Sequence, residues 1–334
     1  MATVMLGLVL SIPAGNACAA ALAYYGSDLY YVNDSGRTYV GNFVSSTITG
    51  AGQGIGYAQE GTSVYYIDNN GYHFSSNFNV GTKYAGAGDG TTFALEGAAL
   101  YNISTTGHNK VGDFSSNSEI TGAGQGTSYV WNKDTGDLFY ATAAGYNKVC
   151  GLGLGSTMVG GGNGTLFAHE GTAMYYMTSA GYTNIGTFNA GTILAGAGNG
   201  TAFALEGNLM YYLSSTGHNF IGGFNVGSPF VGAGDGTGYA LEGTGLYRIN
   251  STGYIKLRDV EAGTTIVGGS FGDVYVMEGG TDLYHLTADN SYISLGTWDA
   301  GTAITNIGVG VPEPATLCLM AIGGVICAAR KRRM

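Results

Sequence analysis

Two sets of polar residues recur along this chain at a fixed spacing, and each is of a type that does chemistry. Six glutamates, Glu60, Glu96, Glu170, Glu206, Glu242 and Glu278, each close a short apolar segment and are each followed by glycine. Carboxylates gathered on one face bind cations, calcium among them, or accept hydrogen bonds from sugar hydroxyls. The plainer alternative is a solvated residue at a hairpin end. In the third copy Lys133 stands near that position, after Trp131 and Asn132. The second set is Gln53, Asp89, Gln125, Asn163, Asn199 and Asp235, each in a Gly-rich pentapeptide. Amides and carboxylates match sugar hydroxyls, and Tyr rings stack on sugar faces. The alternative is turn propensity, which Asn and Asp have strongly.

Other chemistries fail on residue type or spacing. The Gly-rich loops lack a Lys-Ser/Thr pair, precede strands and recur, so they are not phosphate loops. His73, His108, His169, His218 and His285 fall in separate units with no metal-ligand spacing, so no metal site is expected. No nucleophile–base set stands out. Catalysis needs one asymmetric site, whereas near-identical units suit multivalent recognition by several weak sites. No catalytic residue and no cofactor are assigned.

These residues belong to a repeat. The pentapeptides start at residues 50, 86, 122, 160, 196, 232 and 268, a period of 36 with one spacing of 38. Each unit holds four β-like pieces; in one copy these are residues 229–234, 237–242, 245–250 and 254–258, separated by Gly-Asp-Gly, Glu-Gly-Thr-Gly and Ser-Thr-Gly turns. A four-stranded antiparallel unit buries both faces only against neighbours, which predicts an all-β propeller. Small residues on the first strand suit crowding near the axis. Residues 302–310 match a first strand alone, and residues 20–25, 28–32 and 38–43 match the other three. The fragments sum to one composite closing blade, hence about eight four-stranded blades over residues 20–310. By alternation the glutamates and pentapeptides lie on opposite faces, the pentapeptides with the loops carrying His108 and His218. The rival architecture is an open β-solenoid, which would want capping units.

Composition narrows the partners. Four of the twelve cations and one of the 22 acidic residues lie after residue 310, leaving the repeat domain with 8 against 21. So acidic a domain is unsuited to nucleic acid and to anionic lipid. Cys150 is the one cysteine between residues 20 and 310, so no disulfide forms within the domain.

Both ends carry targeting signals. Residues 1–19 have an apolar stretch, the breakers Pro13 and Gly15, and a small-x-small site at Ala17-Cys18-Ala19, which reads as a signal peptide cleaved after Ala19. Residues 311–334 hold Pro312-Glu313-Pro314, an uncharged run and the cations Arg330, Lys331, Arg332 and Arg333. The prolines stiffen an exposed segment; residues 315–329 are expected to form a short transmembrane helix; the cations hold its end in the cytoplasm. This arrangement resembles the PEP-CTERM sorting domain. The resemblance implies processing by the membrane protease-transpeptidase exosortase, inner-membrane insertion, and export to the cell surface or extracellular matrix. An ordinary C-terminal anchor is the alternative. The repeat is also similar to tectonin-type units of lectin-like propellers in its Gly-Thr-x-Tyr/Phe-Ala beat, although tryptophan occurs only at 131 and 298. The expected function is non-catalytic multivalent binding of polysaccharide or a surface partner. A structural matrix component comes second and a polysaccharide-acting enzyme third.

Overall fold

Within each unit the first strand is Gly- and Ala-rich, the second is apolar on both faces, and the fourth is polar on one side. That gradient demands neighbours on both faces of the second strand and water at the fourth. The structure, a computed structural model, describes residues 20–44 and 46–307. The leader 1–19, residues 308–310, the sorting tail and its expected helix 315–329 lie outside the described residues. The described residues form eight four-stranded antiparallel sheets and contain no helix.

Seven sheets use strands consecutive in sequence, as in Ile193–Gly198, Thr201–Glu206, Leu209–Ser214 and Gly217–Gly223. The eighth is composite. Ala303–Asn306 pairs antiparallel with Ala20–Tyr25, from Ala21 opposite Asn306 to Tyr24 opposite Ala303. Asp28–Asn33 and Gly36–Asn42 complete it. The chain is an eight-bladed propeller, closed by the half-blades that the repeat count predicted.

Burial follows the gradient. Thr201–Glu206 is buried up to its last residue, whereas His218, Asn219 and Phe220 of the outer strand face solvent. A bulge in the outer strand pairs Met210 with Gly222 and Tyr211 with Phe220, which leaves Ile221 as the extra residue and turns it inward. The same bulge recurs in five of the other six sequential blades and in the composite blade, whereas the last sequential blade pairs Asp282 with Thr297 and Tyr284 with Ser294.

Aromatic clusters fill the joints between blades. Phe188, just past one outer strand, meets Tyr211 and His218 of the next blade edge-on, with centroids 5.2 and 5.0 Å away. Phe224 meets Tyr247 and Tyr254 likewise, and Phe43 meets Tyr65 and Tyr72. At the closing joint Trp298 takes the Phe place against Tyr30, and the Arg37 guanidinium lies 4.5 Å from the Trp298 ring. Each such contact adds about 0.5–1.5 kcal/mol beyond area burial. The strand beneath the leaning ring must be thin: a Cβ on Gly222 would lie 2.2 Å from Tyr254.

Candidate functional site

The pentapeptides converge on the axis, backbone against backbone. A Cβ on Gly86 would sit 1.7 Å from the Gly50 carbonyl oxygen of the preceding blade, and one on Gly232 would sit 1.8 Å from that of Gly196. The last glycine of each pentapeptide donates its N–H backward to the neighbouring inner strand. Gly90 bonds Ala51 at 2.8 Å, Gly164 bonds Ala123 at 2.9 Å and Gly236 bonds Ala197 at 2.8 Å. The same bond recurs at six successive joints, and Gly54 makes the seventh by donating to Ile307 at 2.8 Å. The acceptor is free because the inner strand is bulged there: Gly50 pairs with Gly56 and Gly52 with Ile55, which leaves Ala51 out of the ladder.

This belt places the second polar set on one face, called here the turn face. Gln53, Gln125, Asn163 and Asn199 have φ between 51° and 56° and are followed by glycine at positive φ, the two-residue hairpin geometry that favours Asn-Gly. All four side chains are exposed. Adjacent members touch across blades: Gln125 Nε2 donates to Asn163 Oδ1 at 3.1 Å, and Asn199 Nδ2 donates to the Asp235 carbonyl at 2.8 Å. Asp89 and Asp235 turn differently. Each Oδ1 accepts the N–H and hydroxyl of the threonine two residues on, at 2.6–3.0 Å. Their carboxylates are thus partly committed to their own turns.

The glutamates lie on the opposite face, where linkers enter each blade, but as separate clamps. Glu60 Oε1 accepts the Val44 N–H at 2.9 Å, Glu96 that of Asn79 at 2.6 Å, Glu170 that of Gly153 at 2.5 Å and Glu242 that of Asn225 at 3.2 Å. Glu206 holds the Asn189 N–H in the same way. Glu278 is buried and instead accepts the Tyr292 hydroxyl at 2.5 Å. In the third copy Lys133 pairs with Glu119 and covers the Trp131 ring at 5.1 Å. The clamp there is Asp134, which accepts from Ser115 and, at 3.0 Å, from Asn117 Nδ2. Those hydrogen bonds hold its pKa below the ordinary carboxylate value. The sequence reading passed over Asp134; the 38-residue spacing of that copy was the available signal. Beside one clamp, linker 189–193 and hairpin 205–209 frame an open recess of about 460 Å³ with Val226 at its edge.

The histidines stay apart. His108 and His218 lie in outer strands and not in the loops expected for them, and they lean on the preceding blade's Phe78 and Phe188. His285 is buried and bridges blades: Nδ1 lies 2.6 Å from Asp34 Oδ1 and Nε2 3.3 Å from Asp273 Oδ2. Burial alone would lower its pKa, but hydrogen bonding and charge from Asp273 and Asp34 outweigh it and the net direction is up. No group of three or more His, Cys, Asp or Glu able to hold a metal occurs among the described residues.

The tail is decided by comparison. Residues 310–333 match the PEP-CTERM protein-sorting motif. The PEP-CTERM tail implies export, membrane-anchored sorting and processing by an exosortase within a secretion-related system. No curated protein matches the sequence. Among solved structures, apo AztD from Citrobacter koseri aligns at TM-score 0.53 with 12% identity, over 89% of this chain and 99% of that one. The dihydro-heme d1 dehydrogenase NirN, in complex with DHE, aligns at TM-score 0.51 with 8% identity, over 89% and 74%. At such identities the likeness is one of fold.

Proposed function

We propose that this exported PEP-CTERM propeller is a non-catalytic, multivalent binding protein of the cell surface or extracellular matrix, and that its ligand is a hydroxyl-rich polymer such as polysaccharide. One observation carries this reading: Gln53, Gln125, Asn163 and Asn199 present exposed side-chain amides around one axis. Amides both donate and accept, so they suit sugar hydroxyls. Several weak copies on a rigid ring gain avidity for a repeating polymer.

The test is calorimetric binding to a polysaccharide panel, with and without calcium. The informative variant replaces Gln125, Asn163 and Asn199 together by glycine, which tolerates their positive φ and so preserves the turns. Saturable binding with more than one site, weakened about tenfold by the variant, is expected from the loss of one or two net hydrogen bonds.

A structural matrix component is the second reading. It is favoured by the clamping glutamates and by the turns that Asp89 and Asp235 stabilise, which give those residues work in the fold. A negative across the whole panel would leave it standing.

A further inference from the structure

The sorting tail leaves the propeller at a defined place. The strand Ala303–Asn306 is the innermost strand of the closing blade and runs toward the turn face. Ile307 is fully buried there; its carbonyl accepts the Gly54 N–H of the adjacent turn at 2.8 Å, and its N–H donates to Ala20 at 3.0 Å. The chain is therefore pinned near the axis, level with the ring of Gln53, Gln125, Asn163 and Asn199. The matched motif begins at residue 310.

We propose that while the tail is held in the membrane the propeller stands with its turn face against the bilayer and its linker face outward. The reason is tether length. Seven residues separate Ile307 from the apolar run at Ala315. Fully extended, they reach about 25 Å. To face the linker side toward the bilayer, the tail would have to cross four strands and descend one strand length. That path is about 14 Å plus about 20 Å, so it exceeds the tether.

Two consequences follow. First, the sorting enzyme must work beneath the turn face, because Pro312 is only five residues beyond Ile307 and so within about 18 Å of it. Second, a folded partner present during sorting meets the linker face, with its exposed tips at Val80, Leu154 and Val226. Severing the tail releases the turn face. This orientation holds whether or not that face binds polysaccharide.

The experiment uses the full chain in spheroplasts of a host that lacks the sorting enzyme. Cys18, Cys150, Cys318 and Cys327 are replaced by serine or alanine, and a single cysteine is placed by Gln125→Cys on the turn face or Leu154→Cys on the linker face. One reagent is a small maleimide. The other is a maleimide carried on a folded protein of roughly 150 residues, about 35 Å across and so wider than the gap. Both sites should react with the small reagent, which checks folding and intrinsic reactivity. The large reagent should label Leu154→Cys about tenfold faster than Gln125→Cys, the rate ratio expected from steric exclusion of most approach paths. A flexible insertion of about 30 Gly/Ser residues between Gly308 and Val309 should abolish the difference, since it frees the tether. Equal labelling by the large reagent without the insertion, or protection that survives it, would overturn the proposal.

Discussion

His285 Nδ1 lies 2.6 Å from Asp34 Oδ1, a contact between residues 251 apart that ties the last sequential blade to the N-terminal strands of the closing blade. Asp273 approaches the other ring nitrogen at 3.3 Å, and Tyr275 stacks on the ring at 5.0 Å. Closure of the ring thus includes a buried imidazole ring between two carboxylates.

A pH dependence follows from the raised His285 pKa. Protonation is favoured more in the folded than in the unfolded chain, so the stabilisation is complete below the unfolded value near 6.5 and is lost as pH rises through the folded value. His285→Gln should lower stability by about 2 kcal/mol at pH 6, the scale of a charged hydrogen bond. That is a fall in Tm of about 3 °C for a domain of this size. The difference between wild type and variant should shrink toward pH 9. A difference constant with pH would show that the ring packs without being charged.

The glycine belt predicts a contrast between glycines. Gly86→Ala places a Cβ 1.7 Å from the Gly50 carbonyl oxygen, backbone that cannot move without opening the joint. It should destabilise the protein by about 3 kcal/mol or more, beyond ordinary overpacking. Gly61→Ala meets nothing within 4 Å and pays only for its φ of +57°, about 1–2 kcal/mol. Urea denaturation of the two variants checks the order.

The linker clamps predict additive losses. Glu96→Ala frees the Asn79 N–H to water and should cost about 1 kcal/mol. The triple variant Glu96→Ala, Glu170→Ala and Glu242→Ala acts in three separate blades and should cost about 3 kcal/mol, since distant sites add. It should leave turn-face binding unchanged. Loss of binding in this variant would move the working site to the linker face.

Cys150 should be inert. Burial, then the charge of Glu170, pushes its thiol up to about 11. At pH 8 roughly one molecule in a thousand carries the reactive thiolate. Iodoacetamide should modify the folded protein about a hundredfold more slowly than the unfolded chain, whose thiol titrates near 8.5. Comparable rates in the two states would mean that the thiol is not shielded.

The repeat period, the strand order within a blade and the half-units near the two ends were all legible, because each is a local pattern of turn residues and alternating side chains. The composite blade could be counted from a missing first strand near residue 20 and a lone first strand near residue 303. The sorting tail was legible for the same reason: its prolines, apolar run and cations act by their order along the chain.

What the two polar sets do locally could not be read. Glu96 looks free in sequence; its partner, the Asn79 N–H, lies 17 residues earlier. Asp134 takes the clamp in the third copy only because two extra residues shift the carboxylate. Gln125 and Asn163 are 38 residues apart, and only closure of the ring sets them 3.1 Å from each other. The sequence by itself determined the blade, since turns and periodicity are local. The ring, its His285–Asp34 bridge and the face from which the tail departs were decided by tertiary structure, because each depends on blades meeting around a common axis.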